Sequence, residues 1–135
     1  MNNIIIGSDH AGFRLKEKIK DYLKELSYKV EDLGTFSEEP TDYPLIAKKV
    51  AEKVAKTDSQ GILVCGSGIG MCMAANKIKK VRAALCYDEY TAKVAREHNN
   101  ANILCLGGRT KPEKGYKKIV KTFFNTKFSK EAYLF

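Results

Sequence analysis

Residues 61 to 77 read Gly-Ile-Leu-Val-Cys-Gly-Ser-Gly-Ile-Gly-Met-Cys-Met-Ala-Ala-Asn-Lys, and no other stretch constrains the fold as strongly. Ile62, Leu63 and Val64 form a short apolar run, the pattern of a strand buried on both faces of a parallel sheet. Gly66, Gly68 and Gly70 then alternate with Ser67 and Ile69. Glycines let the backbone turn sharply and let a ligand come close to bare amide groups. Good helix formers follow, so the loop is expected at a helix N-terminus, where unpaired N–H groups and the helix dipole favour anions. Cys65 stands at the end of the strand, a nucleophile or base beside a cradle for negative charge.

The plainer reading of such a turn is a tight strand-to-helix connection with no ligand. The pattern is not the dinucleotide fingerprint, because the third glycine of G-x-G-x-x-G, counted from Gly66, would fall on Met71. It is not a P-loop either, since no Gly-Lys-Ser/Thr follows. Asp88, near the end of the next expected strand, is the one feature that keeps a ribose-binding acid in view.

A chain of 135 residues has room for one domain, expected to span 1–135. No run of about 18 apolar residues occurs, and Met1-Asn2-Asn3-Ile4 leads straight into a strand, so the expectation is a cytoplasmic protein without a membrane span or signal peptide. Cys65, Cys72, Cys86 and Cys105 show neither a C-x-x-C pair nor zinc spacing, which points to reduced, mostly buried thiols. The net charge of +8 raises the question of nucleic acid. The lysines, however, are spread along the helices, tryptophan is absent, and no aromatic–basic signature is present. A solvated lysine-rich surface without nucleic-acid binding is the expectation, and its charge would attract phosphorylated small molecules.

Ile4-Ile5-Ile6 make the first strand, which runs into Gly7-Ser8-Asp9-His10-Ala11-Gly12. Polar residues at the carboxyl end of a parallel strand lie where open α/β sheets bind ligands. Helix capping explains Ser8 or Asp9 alone, but an adjacent Asp-His pair between glycines is harder to explain that way, so Asp9 and His10 are site candidates. Leu15, Ile19, Tyr22, Leu23 and Leu26 share one stripe of the following helix. Val30 to Leu33 form a second strand, and Thr41-Asp42-Tyr43-Pro44 lead into a helix with Ile46, Val50 and Val54 inward. Tyr43 suits either core packing or a ligand contact. Val81 to Cys86 read as a fourth strand. Asp88 to His98 read as a helix with Tyr90, Val94 and Ala95 inward, ending in a polar cluster from His98 to Asn102. Ile103 to Leu106 are the fifth strand, followed by Gly107-Gly108-Arg109-Thr110 and a helix with Tyr116, Ile119, Val120, Phe123 and Phe124 on one face. The aromatic tail 126–135 is expected to seek burial against a partner subunit.

Five strands alternating with five helices predict a three-layer α/β sandwich, Rossmann-like, with a five-stranded parallel sheet in the order 2-1-3-4-5 and helices on both faces. Loops after strands one, three, four and five would then gather polar groups along one edge, and Asp9, His10, Cys65, Ser67, His98 and Arg109 all come from such loops or the helix ends beyond. An acid/base pair near an anion cradle suits proton abstraction beside a carbonyl, with the enediolate charge on amide groups. A thiol at a helix N-terminus is expected to ionise readily, and His98 belongs to the residue type that moves protons near neutrality. No ligand triad at metal spacing is present, and the chemistry calls for neither metal nor cofactor. From the residues alone, the chain reads as an isomerase or lyase acting on an anionic carbonyl compound.

Gly7-Ser8-Asp9-His10-Ala11-Gly12, Thr41-Asp42-Tyr43-Pro44, Cys65-Gly66-Ser67-Gly68-Ile69-Gly70, Ala74-Ala75-Asn76-Lys77, His98-Asn99 and Gly107-Gly108-Arg109 together resemble the ribose-5-phosphate isomerase B family, to which galactose-6-phosphate isomerase also belongs. The match is collinear over about residues 1 to 125. The resemblance implies interconversion of ribose 5-phosphate and ribulose 5-phosphate, with Cys65 as the base between C1 and C2 and Ser67 assisting the relay. By the same resemblance, Gly66 to Gly70 hold the enediolate oxygen, His98 opens the furanose ring, and Asn99 and Asp9 order hydroxyls. His10 and Arg109 lie toward the phosphate. The family builds its sites across a two-fold interface, implying a homodimer or dimer of dimers with His98, Asn99 and Arg109 supplied by the other chain. A hexose 6-phosphate isomerase is the neighbouring alternative, and a non-catalytic sugar-phosphate or nucleotide-binding module a more distant one. Met71 takes the place of a glutamate base used by one branch, which leaves the role to Cys65, and Ser8 stands where many members have cysteine. Ser129-Lys130-Glu131-Ala132 replace the usual Gly-Gly-Arg-His, which leaves the phosphate to Arg109 and His10, with Lys127 or Lys130 beside them.

Overall fold

The structure, a computed structural model, describes residues 3–110 and 115–129. Ten elements alternate: β1 (Asn3–Ser8), α1 (Phe13–Glu25), β2 (Lys29–Asp32), α2 (Tyr43–Thr57), β3 (Gln60–Cys65), α3 (Ile69–Ala75), β4 (Ala83–Leu85), α4 (Glu89–Glu97), β5 (Ile103–Gly107) and α5 (Tyr116–Asn125). All strand pairs are parallel. The Rossmann-like α/β sandwich is thus the observed architecture. The aromatic tail falls outside the described residues from position 130 onward.

The sheet order is β2-β1-β3-β5-β4, so the last two strands exchange the places expected from chain order. Burial explains the exchange. All five residues of β5 (Ile-Leu-Cys-Leu-Gly) are buried, whereas the Ala-Ala-Leu of β4 is only half-buried. A strand apolar on both faces gains most between two neighbours, and a short one is suited to an edge. The Asn76 side chain replaces the missing outer neighbour at Ala83: its Oδ1 accepts from the Ala83 amide at 2.8 Å, and its Nδ2 donates to the Ala83 carbonyl at 2.9 Å.

Alternation along the strands divides the core between the two faces. Ile4 and Ile6 of β1 pack with Leu15, Ile19 and Leu23 of α1 and with Ile119, Val120 and Phe123 of α5. Ile5 and Leu63 pack with Ile46, Val50 and Val54 of α2, in the same cluster as Met71 and Ala75 of α3. Cys65 belongs to this second face, so its side chain lies on the α2/α3 side of the sheet. One helix packs differently from expectation: α4 buries Ala92 and Ala95, while Tyr90 is 70% exposed. The two alanines are three residues apart on one helix face, and Tyr90 is turned away from it. Among the described residues, no helix is long and apolar enough to cross a membrane.

Candidate active site

Three loops converge at the carboxyl ends of β1, β3 and β5. The Asp9 amide donates to the Val64 carbonyl at 3.1 Å, the Gly108 amide to Cys65 at 2.7 Å, and the Arg109 amide to Gly66 at 2.9 Å. Those bonds continue the sheet pairing past its last residues and fix the loops against one another. Asp9, His10, Cys65, Ser67 and Arg109 are thereby brought to one edge.

Cys65 is buried, and its Sγ accepts a hydrogen bond from the Gly68 amide at 3.1 Å. Ser67 is exposed, and its Oγ accepts from the Ile69 amide at 3.1 Å. Two of the loop's amides are therefore engaged by the loop's own side chains rather than bare. Gly68 must be glycine: its φ is +84°, and a Cβ there would lie 2.6 Å from Leu85 Cδ1 and 2.9 Å from the Leu106 carbonyl carbon. Gly70 admits Tyr43, whose ring Cε1 would stand 2.8 Å from a Cβ at that position. Tyr43 thus covers the first turn of α3, and a groove of about 350 Å³ opens there between Tyr43, Lys48, Met73 and Lys77. Met71 is fully buried in the core.

Asp9 is almost fully buried, and its Oδ1 accepts from the Gly12 amide at 3.0 Å, which closes the turn before α1 while the helix itself has no side-chain cap. The His10 Nδ1 accepts from the Thr41 amide at 3.2 Å. Arg109 is exposed, and its Cδ lies 3.6 Å from the position of a Cβ on Gly66. Arg109 thus flanks the cradle of its own chain, whereas the resemblance supplied it from the other.

His98 and Asn99 are not part of this edge; they stand at the far end of α4. The helix α4 begins where β4 ends and runs back across the sheet, so its C-terminal residues lie at the opposite edge. His98 is its C-cap, with the amide donating to Val94 at 2.9 Å and Nε2 standing 3.3 Å from Glu97 Oε1. The adjoining Asn102 pairs with Gly61 and Arg82, at the amino ends of β3 and β4. Asp88, the candidate ribose acid, is the N-cap of α4 in a capping box with Thr91, whose amide donates to Asp88 Oδ1 at 2.7 Å. The Thr91 hydrogen bonds hold the Asp88 carboxyl below its ordinary range.

Cys72 and Cys86 differ sharply from each other. A hydrogen bond with the Cys105 thiol, aided by the Leu85 backbone and opposed by burial, brings Cys72 down to about 7. Burial pushes Cys86 up to about 12. Sequence reasoning missed the buried Lys16, whose Nζ is 2.7 Å from Asp32 Oδ2. The signal was available: Lys16 lies three residues before Ile19 and seven before Leu23, on the buried stripe of α1. Among the described residues, no group of three His, Cys, Asp or Glu side chains is arranged to hold a metal ion.

The class defined by this fold and site is a Rossmann-like α/β protein with a buried thiol and a glycine-rich helix N-terminus at the carboxyl edge of its sheet. The chain belongs to the ribose/galactose isomerase family, whose sequence profile matches residues 4–134. It is 47% identical over 129 residues to a probable ribose-5-phosphate isomerase B of Mycoplasma genitalium, covering 93% of this chain and 85% of that protein. It is 46% identical over 110 residues to ribose-5-phosphate isomerase B of Escherichia coli, covering 81% and 74%. A crystal structure of ribose-5-phosphate isomerase B from Mycoplasma genitalium with bound ribulose-5-phosphate superposes with a TM-score of 0.89 at 47% identity, covering 93% of this chain and 85% of that one.

Proposed function

We propose that this chain interconverts ribose 5-phosphate and ribulose 5-phosphate by proton transfer through an enediolate. The observation that carries the reading is the placement of Cys65 Sγ, on the β3 end, 3.1 Å from the amide of Gly68 in the glycine loop. The family membership and the ribulose-5-phosphate held by the Mycoplasma genitalium relative support the same substrate.

In the forward direction the Cys65 thiolate takes the proton from C2 of the open-chain aldose. The C2–H electron pair becomes the C1–C2 double bond, and the carbonyl electrons move onto the C1 oxygen. Amides of residues 66 to 70 receive that charge, displacing the internal contacts that Cys65 and Ser67 make in the free protein. Ser67 passes the hydroxyl proton between O2 and O1, and Cys65 returns its proton to C1, which leaves the ketone at C2. Asp9, His10 and Arg109 hold the hydroxyls and the phosphate, and Tyr43 closes the side of the site.

His98 opens the furanose ring from a second copy of the chain, with Asn99 beside it. Its distance from Cys65 across its own sheet supports this arrangement. So does the apolar surface flanking the cradle, where Leu45 is 58%, Ile69 53% and Met73 65% exposed. Cytoplasmic location fits a phosphorylated metabolite as substrate.

The deciding measurement follows exchange of the C2 proton with solvent. Cys65→Ala is expected to reduce exchange by about 10²–10⁴-fold while leaving substrate binding largely intact. Exchange at the parental rate would overturn the role of Cys65. Turnover on a panel of five- and six-carbon aldose phosphates tests the substrate, and a clear preference for a hexose 6-phosphate would replace the pentose reading.

A further inference from the structure

Lys16 is the largest polar side chain buried completely in the described structure, and the reaction as proposed makes no use of it. A buried ammonium persists only when its hydrogen bonds are met. Its Nζ donates to Asp32 Oδ1 at 2.8 Å, to Asp32 Oδ2 at 2.7 Å and to the Thr35 carbonyl. The rings of Phe13 and Phe36 lie over it, their centroids 5.4 and 5.0 Å away. Asp32 Oδ1 also accepts from the Gly34 amide at 2.9 Å. Lys16 and Asp32 thus hold the start of the arm between β2 and α2.

That arm reaches the site by two routes. The Ser8 amide donates to Gly34 and the Thr35 amide to Ser8, both at 2.7 Å, so the arm is bonded to the strand end just before Asp9 and His10. The Thr41 hydroxyl donates to the Glu39 carbonyl at 2.9 Å and stands 3.3 Å from the Thr35 hydroxyl, and the Thr41 amide donates to His10 Nδ1 at 3.2 Å. A nitrogen that accepts from an amide carries no proton, so the neutral ring bears its proton on Nε2.

We propose that Lys16 is a positioning residue: anchored on Asp32, it holds the 34–41 arm so that Thr41 fixes His10 as the Nε2–H tautomer, a directed donor toward the phosphate end of the sugar phosphate. The inference rests on the isomerase reading of the site for its ligand, but not for the tautomer.

The test reads the imidazole directly, by long-range proton–nitrogen correlation spectra of the whole protein, with the second histidine removed as His98→Asn for assignment. The free protein is expected to show His10 with Nδ1 unprotonated and Nε2 protonated. A protonated Nδ1 would overturn the proposal. In Lys16→Met the two tautomers should mix, and KM for ribulose 5-phosphate, measured with His98 intact, should rise about tenfold with kcat within about twofold, the mark of lost ground-state binding. If Lys16→Met does not fold, Asp32→Asn takes its place, because it keeps an acceptor for the Gly34 amide; a smaller change of the same sign is expected. A folded variant with the parental tautomer and KM refutes the role of Lys16. A protein that turns over no sugar phosphate defeats the isomerase reading, while the spectra still decide the tautomer.

Discussion

Ser8 is a residue ill-suited to its surroundings. Its hydroxyl is completely buried, and it is the one buried side-chain polar atom without a partner among the described residues. Burying an unpaired hydroxyl costs on the order of 1–3 kcal/mol, and a thiol of similar shape is far less demanding. Ser8→Cys is therefore expected to raise the unfolding free energy by about 1 kcal/mol, read from the urea midpoint at constant slope. Arg109 presents the opposite case, an exposed side chain beside the cradle with no ion-pair partner among those described. Its planar guanidinium is suited to bidentate contact with a phosphate, which a flexible lysine cannot match. Arg109→Ala should raise KM at least about tenfold, roughly 1.4 kcal/mol of binding, in steady-state assays with ribose 5-phosphate. An unchanged KM would place the phosphate elsewhere.

Among the elements, β2 with its following arm is the one most dependent on charge. Burial, the largest single influence on Asp32, raises its carboxyl, yet the hydrogen bonds from Lys16, Lys20 and the Gly34 amide together hold it below the ordinary value of 3.8. Lys20 is raised above 10.5, chiefly by its hydrogen bond to Asp32. Between the folded and unfolded pKa of Asp32 the unfolded chain binds more protons, so folding weakens as pH falls. The contribution of Asp32 is complete above the unfolded value and lost as pH falls through the folded one. That of Lys20 is complete below its unfolded value and lost as pH rises through the folded one. Urea midpoints measured across the acid range should therefore fall below about pH 4 in the parent and follow a flatter limb in Asp32→Asn. Parallel acid limbs would remove Asp32 as the cause.

At the scale of the whole molecule, the position of α4 decides what one chain can do alone. Cys65 and His98 occupy opposite edges of one sheet, so a site that uses both requires two copies. Mixing Cys65→Ala chains with His98→Asn chains is expected to restore activity, because a hybrid dimer contains one site with both residues intact. Random exchange makes about half of the dimers hybrid, each with one of its two sites working, so recovery should approach one quarter of the parental rate. No recovery under conditions that exchange subunits would show that both residues act within one chain.

Much of this arrangement is written in local sequence. The alternation of apolar runs with helical stripes determined the parallel α/β architecture, because each pattern buries apolar surface in only one kind of element. The sequence Cys65-Gly66-Ser67-Gly68 likewise determined a thiol beside a turn that only glycine can make, since φ is positive at Gly68. Other features depended on contacts between distant segments. The exchange of β4 and β5 follows from comparing how fully each strand is buried, a quantity that appears only when the sheet is assembled. The Lys16–Asp32 pair joins residues sixteen apart, two charges whose burial depends on the arm that covers them. His98 ends a helix that starts from the same edge as Cys65, and because that helix runs back along the sheet it carries its last residue to the far edge. Sequence periodicity specifies which residues turn inward; only packing in three dimensions determines which of them meet.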